Sequence, residues 1–535
     1  MFKKTLLALF AGMVGLQVQA KDKTKITILQ TADIHAYLNT HNELFVENGE
    51  LQFREAGGIA NIKTLVNKIK KENPEGTLLV DGGDLIQGSG ESVLSEGAIF
   101  PPLIEDMQYD LLIPGNWEVI YGKKVMMDVM QNYNSNVIVS NMFHEEGNQP
   151  LFPPYWVTEK KGVKIGFIAY NDPEVPVRQN PMFSEGIAFT QVEENLKDLV
   201  HELKVEQEVD LLFLVAHIGI SKQIMLANNP AIKGVDFVLG NDTHERVRQP
   251  IKGKYAMVVE PGSFGSFLGR LDIYVKNGKM DSYEYELIEV DPNKYPADPV
   301  LQAKVDSVRA PYEEKLSEVL GYTTAPLYRY LVVENAMDNM ITDALLEKSG
   351  ADIAISNGFR FGVPILPDPE TGKAAITVED LWRMLPVDEN MKIGEVTGEQ
   401  IKNWLEKEIN NAFSPVPSER FGGWLIRFAG MTMKFDTSRP YGERVLEVKV
   451  KGEDLDLNKT YRMASCNRTG EAIHVLCRMP HAKNVKIMDY TLHEAVKDYL
   501  KEKGTVHPQI EGRAKAVNLG EQVFSSLENV GYIFQ

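Results

Sequence analysis

"TLLVDGGD", residues 77–84, sets the architecture: a run of apolar and β-branched residues enters Asp81, and a Gly-Gly turn then presents Asp84. Such a run, bounded by turn residues, reads as a short strand buried on both faces. In an α/β sheet the loop just beyond a strand's carboxyl end is where ligands bind. The same grammar recurs outward from this stretch. "KITILQ" (25–30) precedes Asp33 and His35, and "YDLLIP" (109–114) precedes Gly115-Asn116. "VDLLFLVA" (209–216) precedes His217, and "VDFVLG" (235–240) precedes Asn241-Asp242-Thr243-His244. "NVIVSN" (136–141) and "KIGFIAY" (164–170) are further strand-like runs. Helical stretches such as "GGIANIKTLVNKIKKEN" and "VEENLKDLVHELKVEQ" lie between them, so the class is α/β. From Tyr255 to Val290 the pattern changes to consecutive antiparallel strands with glycine turns.

A chain of 535 residues is too long for one core, so more than one domain is expected. With 43% hydrophobic and 25% charged residues it has the balance of an ordinary globular protein. Residues 1–20 read as a signal peptide: Lys3 and Lys4, an apolar run from Leu6 to Leu16, then Val18-Gln19-Ala20. That run is too short to span a bilayer, and no second apolar run of spanning length follows, so the mature chain is expected to be periplasmic or secreted, without a membrane anchor. The net charge of −18 makes it a poor binder of nucleic-acid polymers. An anionic substrate would have to be gathered by metal ions or a few arginines. Cys466 and Cys477 are the only cysteines, and they form either one local disulfide or two buried thiols.

The catalytic domain is expected over 21–290. A linker, "DPNKYPADP", and a helical pattern from Leu301 through Val319 to Gly321 make a connector over 291–321, with a break at Pro311. A second α/β domain is expected over 322–535, with capping patterns at Thr377/Asp380 and Thr397/Gln400 and strands "DIAISN" and "RVLEVKV".

Five strand ends thus deliver Asp33, His35, Asp84, Asn116, His217, Asp242 and His244 to one sheet edge. Each motif alone has a plain alternative: a turn aspartate, a helix cap, a core histidine. Their order and common placement weigh against coincidence. Carboxylate, imidazole and amide oxygen together suit Mn²⁺, Zn²⁺, Mg²⁺ or Fe. Seven ligands fit two ions, about 3.5–4 Å apart, that share a carboxylate.

D-x-H, G-D, G-N, a lone H and a terminal x-x-H, in this order, resemble the calcineurin-like metallophosphoesterase superfamily. "DIAISNGFRFG" and "ITVEDLWRMLP" narrow the resemblance to the two-domain periplasmic 5′-nucleotidases. It implies an N-terminal αββα sandwich, a linker helix and a C-terminal substrate-binding α/β domain. It also implies two metals, one on Asp33, His35, Asp84 and His244 and one on Asn116, His217 and Asp242, with Asp84 bridging. Position 242 departs from the pattern, which has histidine there; the added charge would favour Mn²⁺ over Zn²⁺.

A second departure lies in "LLIPGNWEVIYG", residues 111–122. The family reads G-N-H-E-x-D, whose histidine, oriented by the aspartate, assists the departing alkoxide. Trp117 and Ile120 stand at those two positions. An indole N–H donates a hydrogen bond but transfers no proton at neutral pH. General-acid help is worth about 10²–10⁴-fold, so a good leaving group such as a thiolate or an anhydride phosphate suits this site. G-N-W-E-x-x-Y-G resembles the SoxB-type thiosulfohydrolase branch, which releases a sulfonate from a cysteine-bound persulfide on a carrier protein. The plainer role for Trp117 is a wall that packs beneath its loop.

In the second domain Arg360 matches the family's arginine motif and is the expected anion clamp. Trp424 lies near the first base-stacking position, while "YRMASCNRTGEAIHVLC" stands where the second stacking turn is expected. Three readings follow. In the first, an exported two-metal hydrolase uses metal-activated hydroxide, with Asn116, Trp117 and Arg360 in the reacting centre, on a small anionic phosphate ester or anhydride such as a nucleotide. In the second, a SoxB-type enzyme acts on a thiosulfonated carrier protein. In the third, the chain is a non-catalytic metal- or nucleotide-binding protein.

Overall fold

The computed structural model describes residues 23–527 apart from Phe359, Phe421 and Glu521; the expected signal peptide lies outside the described residues. Strand Thr24–Thr31 pairs in parallel with Thr77–Asp81, which continues through Leu111–Leu112 to Asn136–Val137. The antiparallel hairpin Phe267–Lys276 and Lys279–Glu289 completes six strands. A second six-stranded sheet carries Phe237–Gly240, Leu211–His217 and Val163–Asn171 side by side in parallel at its centre.

The unbroken apolar runs are explained by what lies on each face. Ile28, Leu78 and Val80 turn inward onto Phe167, Phe213 and Phe237 of the other sheet. Their neighbours Leu29 and Leu79 turn outward onto the helices Ile59–Glu72, Pro101–Met107 and Gly122–Gln131. Likewise Leu212 and Leu214 meet the helices Leu196–His201 and Ile220–Ala227. Each fully buried side chain of this size contributes roughly 1.5–3 kcal/mol. The result is an αββα sandwich, and parallel pairing collects the strand ends of each sheet on one edge.

The connector begins with helix Pro299–Arg309, whose first N–H groups are capped by Asp298. It breaks at Pro311 into a 3₁₀ turn and ends with Glu313–Leu316. The expected extension to Gly321 does not form: Val319–Thr323 is a strand paired with Ala374–Thr377, and Gly321 lies inside it. The alternation needed for that pairing wins over the helical spacing of the apolar residues. Leu301 and Val305 pack on the first domain, Leu316 and Leu320 on the second. The second domain is built on a five-stranded sheet ordered Arg427–Ala429, Ile353–Ser356, Thr460–Cys466, Asn390–Thr397, Lys483–Thr491. Thr377 and Thr397 cap their helices as expected, and Thr491 caps another in the same way. Cys466 and Cys477 are both free thiols.

A buried polar knot joins the domains. Glu43 accepts from Arg246 at 2.6 Å, Ser266 at 2.7 Å and the Leu44 N–H at 2.8 Å, all of the first domain. It also accepts from the Tyr330 hydroxyl of the second. Burial alone would raise the Glu43 carboxyl, but Arg246, His41 and Tyr330 overcome it and hold it at about 2. Arg309 adds a bridge between Glu91 and Glu379. Because Glu43 titrates below its ordinary value of 4.5, its stabilisation is fully present above that pH and fades as the pH falls toward 2. Glu43→Gln leaves Arg246 without its counter-charge. It should lower stability at pH 7 by about 3 kcal/mol in urea unfolding, and flatten the wild-type loss between pH 4.5 and 2.

Candidate metal centre

Five loops at the sandwich edge converge, and their backbones are unusual. Asp33, His35, Asp84, Asp242 and His244 have φ of +51°, +50°, +57°, +89° and +60°. Non-glycine residues held in this region cost of order 1–3 kcal/mol each and cluster at functional sites. Close approach explains the glycines. A Cβ on Gly83 would lie 2.4 Å from the Gly115 nitrogen, and one on Gly115 would lie 2.3 Å from Asp84 Oδ1. Glu118 ties these two loops together: its carboxylate accepts from the N–H groups of Asp84 (2.9 Å), Leu85 (2.7 Å) and Gly115 (2.6 Å). Burial, with Asp84 adding to it, raises Glu118 to about 7. The two sheets are tied as well, since the Asp242 N–H donates to Asp33 at 3.2 Å.

Within this frame lone pairs meet lone pairs. His35 Nδ1 donates to the Gln87 carbonyl at 2.9 Å and His217 Nδ1 to the Gly82 carbonyl at 2.7 Å, so both Nε2 atoms face inward; that of His35 is bare, whereas Asp84, against the effect of burial, holds His217 well above the ordinary histidine range with a proton on its Nε2. Asp33 Oδ1 lies 3.9 Å from His35 Nε2, 3.9 Å from His217 Nε2 and 3.8 Å from His244 Nε2. Asp84 Oδ2 lies 3.8 Å from His35 Nε2 and 3.1 Å from His217 Nε2. His35 Nε2 and His244 Nε2 are 2.9 Å apart. Asn116 brings an amide atom 3.1 Å from His217 Nε2 and 2.7 Å from Asp84 Oδ2. With nitrogen inward it donates to both; a half-turn offers its oxygen to a cation.

Two sets, Asp33/His35/His244 and Asp33/Asp84/His217, have donor atoms close enough to hold an ion each. They share Asp33, whose Oδ1 is central to all three imidazoles, while Asp84 lies between His35 and His217. This set of carboxylate, imidazole and amide groups, buried but for part of His244, fits a pair of divalent cations. Burial lowers His35 to about 4 and holds His244 well below the ordinary histidine range, so both are neutral at pH 7. Burial pushes Asp33 well up, and the Asp84 and Asp242 charges add to it. Asp84 instead falls despite burial, because His217 faces it.

Asp242 is at the rim. Arg178, from the short helix Val175–Arg178, forks both its oxygens at 2.9 and 3.0 Å and reaches Asp172 at 2.5 Å. The cleft over the centre is lined by Asp84, Asn116, Trp117, Arg178, Gln179, His244, Arg360, Phe361 and Trp424, among others. Trp117 is 5% exposed; its backbone N–H donates to Asp84 Oδ1 at 2.7 Å, and its ring stands edge-on to Phe361 at 5.6 Å. The indole walls the metal cleft from an apolar pocket that also holds Phe183, Leu385 and Cys466. Arg360 reaches the cleft from the second domain, yet it also bonds Glu245 at 3.1 Å and the Thr243 carbonyl at 3.0 Å. Trp424 lies 5.7 Å from its guanidinium and donates to the Asn357 carbonyl. Arg360 thus lines the cleft while forming an interdomain ion pair with Glu245.

Sequence reasoning gave no role to Glu118, Arg178, Gln179 or Phe361. Phe361 packs 4.5 Å from His35 and 5.6 Å from Trp117, which makes it the lid over the centre. The only available signal was adjacency: Glu118 follows Trp117, and Phe361 follows Arg360.

Comparison with known proteins gives two family matches: the calcineurin-like phosphoesterases over residues 26–249, and the 5′-nucleotidase C-terminal domain over residues 319–469. The trifunctional nucleotide phosphoesterase YfkN of Bacillus subtilis is 25% identical over 92% of this chain, which spans only 35% of that protein's length. Two solved structures from Thermus thermophilus share the fold. The sulfate thiohydrolase SoxB matches with TM-score 0.83 and 22% identity, covering 93% of this chain and 98% of its own. A 5′-nucleotidase precursor matches with TM-score 0.80 and 23% identity, covering 93% of this chain and all of its own.

Glu118→Ala strands four buried N–H donors, those of Asp84, Leu85, Ile86 and Gly115, and frees the two loops. It should cost about 3 kcal/mol in chemical denaturation and abolish divalent-ion binding in calorimetric titration.

Proposed function

We propose that this chain, a metal-dependent hydrolase that joins a calcineurin-like phosphoesterase domain to a 5′-nucleotidase C-terminal domain, is an exported two-metal enzyme that cleaves a small anionic phosphate ester or anhydride whose leaving group departs without a proton. The observation that carries this reading is the lining of the cleft. Among its described residues the only imidazole is His244, already turned toward Asp33 and His35, and Trp117 lines the cleft at the position where the family pattern has a proton-donating histidine.

Asp33, His35, Asp84, Asn116, His217, Asp242 and His244 would hold two divalent ions, Mn²⁺ first among them. Such ions supply a nucleophile at neutral pH and neutralise charge that builds on the transferred group. The chain does the rest. Gln87 and Gly82 orient His35 and His217 so that Nε2 faces inward. The Trp117 N–H orients Asp84. Arg360 meets the substrate anion as a planar donor, backed by Trp424. Phe361 and Trp117 exclude water, which strengthens every charge interaction in the cleft.

A second reading shares the centre: hydrolysis of a cysteine-bound thiosulfonate on a carrier protein. Trp117 favours it, since a thiolate with a reference pKa near 8.5 leaves without general-acid help. Manganese-loaded enzyme assayed side by side on a nucleoside monophosphate, a nucleoside diphosphate, a UDP-sugar and a thiosulfonated cysteine peptide separates the two. Turnover confined to the monophosphate would contradict both, because an alkoxide is the leaving group least suited to this cleft.

Asp84→Ala should abolish turnover and ion binding together while the circular dichroism spectrum stays native. Restoring a proton donor with Trp117→His and Ile120→Asp should raise kcat on a nucleoside monophosphate by about 10²-fold or more, and leave the rate on an anhydride within a few-fold.

A further inference from the structure

Asp242 and Arg178 form a unit that the metal chemistry must divide. Asp242 belongs to neither of the two converging donor sets, although its Oδ1 is only 3.9 Å from His217 Nε2. Both its oxygens are committed to the Arg178 fork. Arg178 has a second buried anion, Asp172, which Lys222 also contacts at 3.3 Å. It would therefore keep a counter-charge if Asp242 turned away. Its segment is pinned from the other domain: Arg468 donates to the Val177 carbonyl at 2.7 Å and to the Gln179 carbonyl. The guanidinium lines the same cleft as Asn116, His244 and Arg360.

We propose that Arg178 governs one of the two metal positions and the anion affinity of the cleft: it competes with a divalent cation for Asp242, and once displaced it turns its N–H groups to the substrate anion. The inference rests on the two-metal reading of the centre. It makes the centre unequal. The ion on Asp33, His35 and His244 is held tightly, whereas the ion beside Asn116 and His217 must win Asp242 from an arginine. It also couples the two events, because filling the weaker position releases the second arginine. A cleft flanked by Arg178 from one domain and Arg360 from the other grips an anion of two or more negative charges, such as a phosphoryl or sulfonate group, better than a neutral molecule.

The test uses full-length, metal-stripped protein titrated with Mn²⁺ alone, free ion being read by electron paramagnetic resonance. Wild type should show two classes of site at least about tenfold apart. In Arg178→Gln, loss of a positive charge beside the weaker position should tighten that class about tenfold and move the tight class by less than roughly twofold. Inorganic phosphate should bind the manganese-loaded variant about tenfold more weakly. Asp242→Asn should weaken the loose class alone, and it decides the matter if Arg178→Gln fails to fold. Two equal sites in wild type, or a titration unchanged in Arg178→Gln or in Asp242→Asn, would overturn the inference and leave the metal-centre reading standing. Wild type that binds no Mn²⁺ would remove that reading, and the inference with it.

Discussion

Asp33 and Asp84 crowd their carboxylate oxygens against the Nε2 atoms of His35, His217 and His244 in a pocket that is buried but for part of His244. Apart from the attractive His217–Asp84 pair, such crowding is unfavourable for the chain alone, because groups that have given up water meet other acceptors. The structure imposes it by force of scaffold. Parallel pairing sets the strand ends on one edge, left-handed backbone turns the ligands inward, and Glu118 and Asp242 fasten loop to loop and sheet to sheet. A cation at the focus would turn these repulsions into attraction. The rest of the molecule is legible as support for that focus.

The second domain supplies what the edge of a sandwich lacks, a roof. Phe361 and Arg360 come from one loop just beyond strand Ile353–Ser356, and they set an apolar lid and a cationic donor side by side over the centre. That roof is fixed in place by Glu43 with Tyr330, by Arg360 with Glu245, and by Arg309 between Glu91 and Glu379. Trp117 completes the enclosure from below. In the proposed reaction, a site closed by indole and phenyl rings would rely mainly on charge stabilisation, which suits a leaving group able to depart unaided.

Much of this could be read in the sequence, for physical reasons. A strand buried on both faces leaves a continuous apolar run, and a run that ends in Asp, His or Gly-Asn marks a loop; so the α/β alternation and the polar side chains at the strand ends were legible from Thr24 to His244, whereas the αββα layering came from the family resemblance. Caps were legible where side chain and backbone are three residues apart, as at Thr377 and Thr397. Contacts made across the fold were not. The fork between Arg178 and Asp242 joins residues 64 positions apart, and the Phe361 ring meets His35 across the domain boundary. Neither leaves a local pattern. Gly321 shows the opposite limit: apolar spacing suited a helix, but strand pairing with Ala374–Thr377 took the segment.

The most direct test is anomalous diffraction from crystals of the full-length protein soaked in Mn²⁺. The account predicts two manganese peaks in a single pocket, both within coordination reach of the Asp33 or Asp84 carboxylate, with His35 and His217 on opposite flanks. Manganese confined to surface carboxylates, with His35 and His244 still in direct contact, would contradict it.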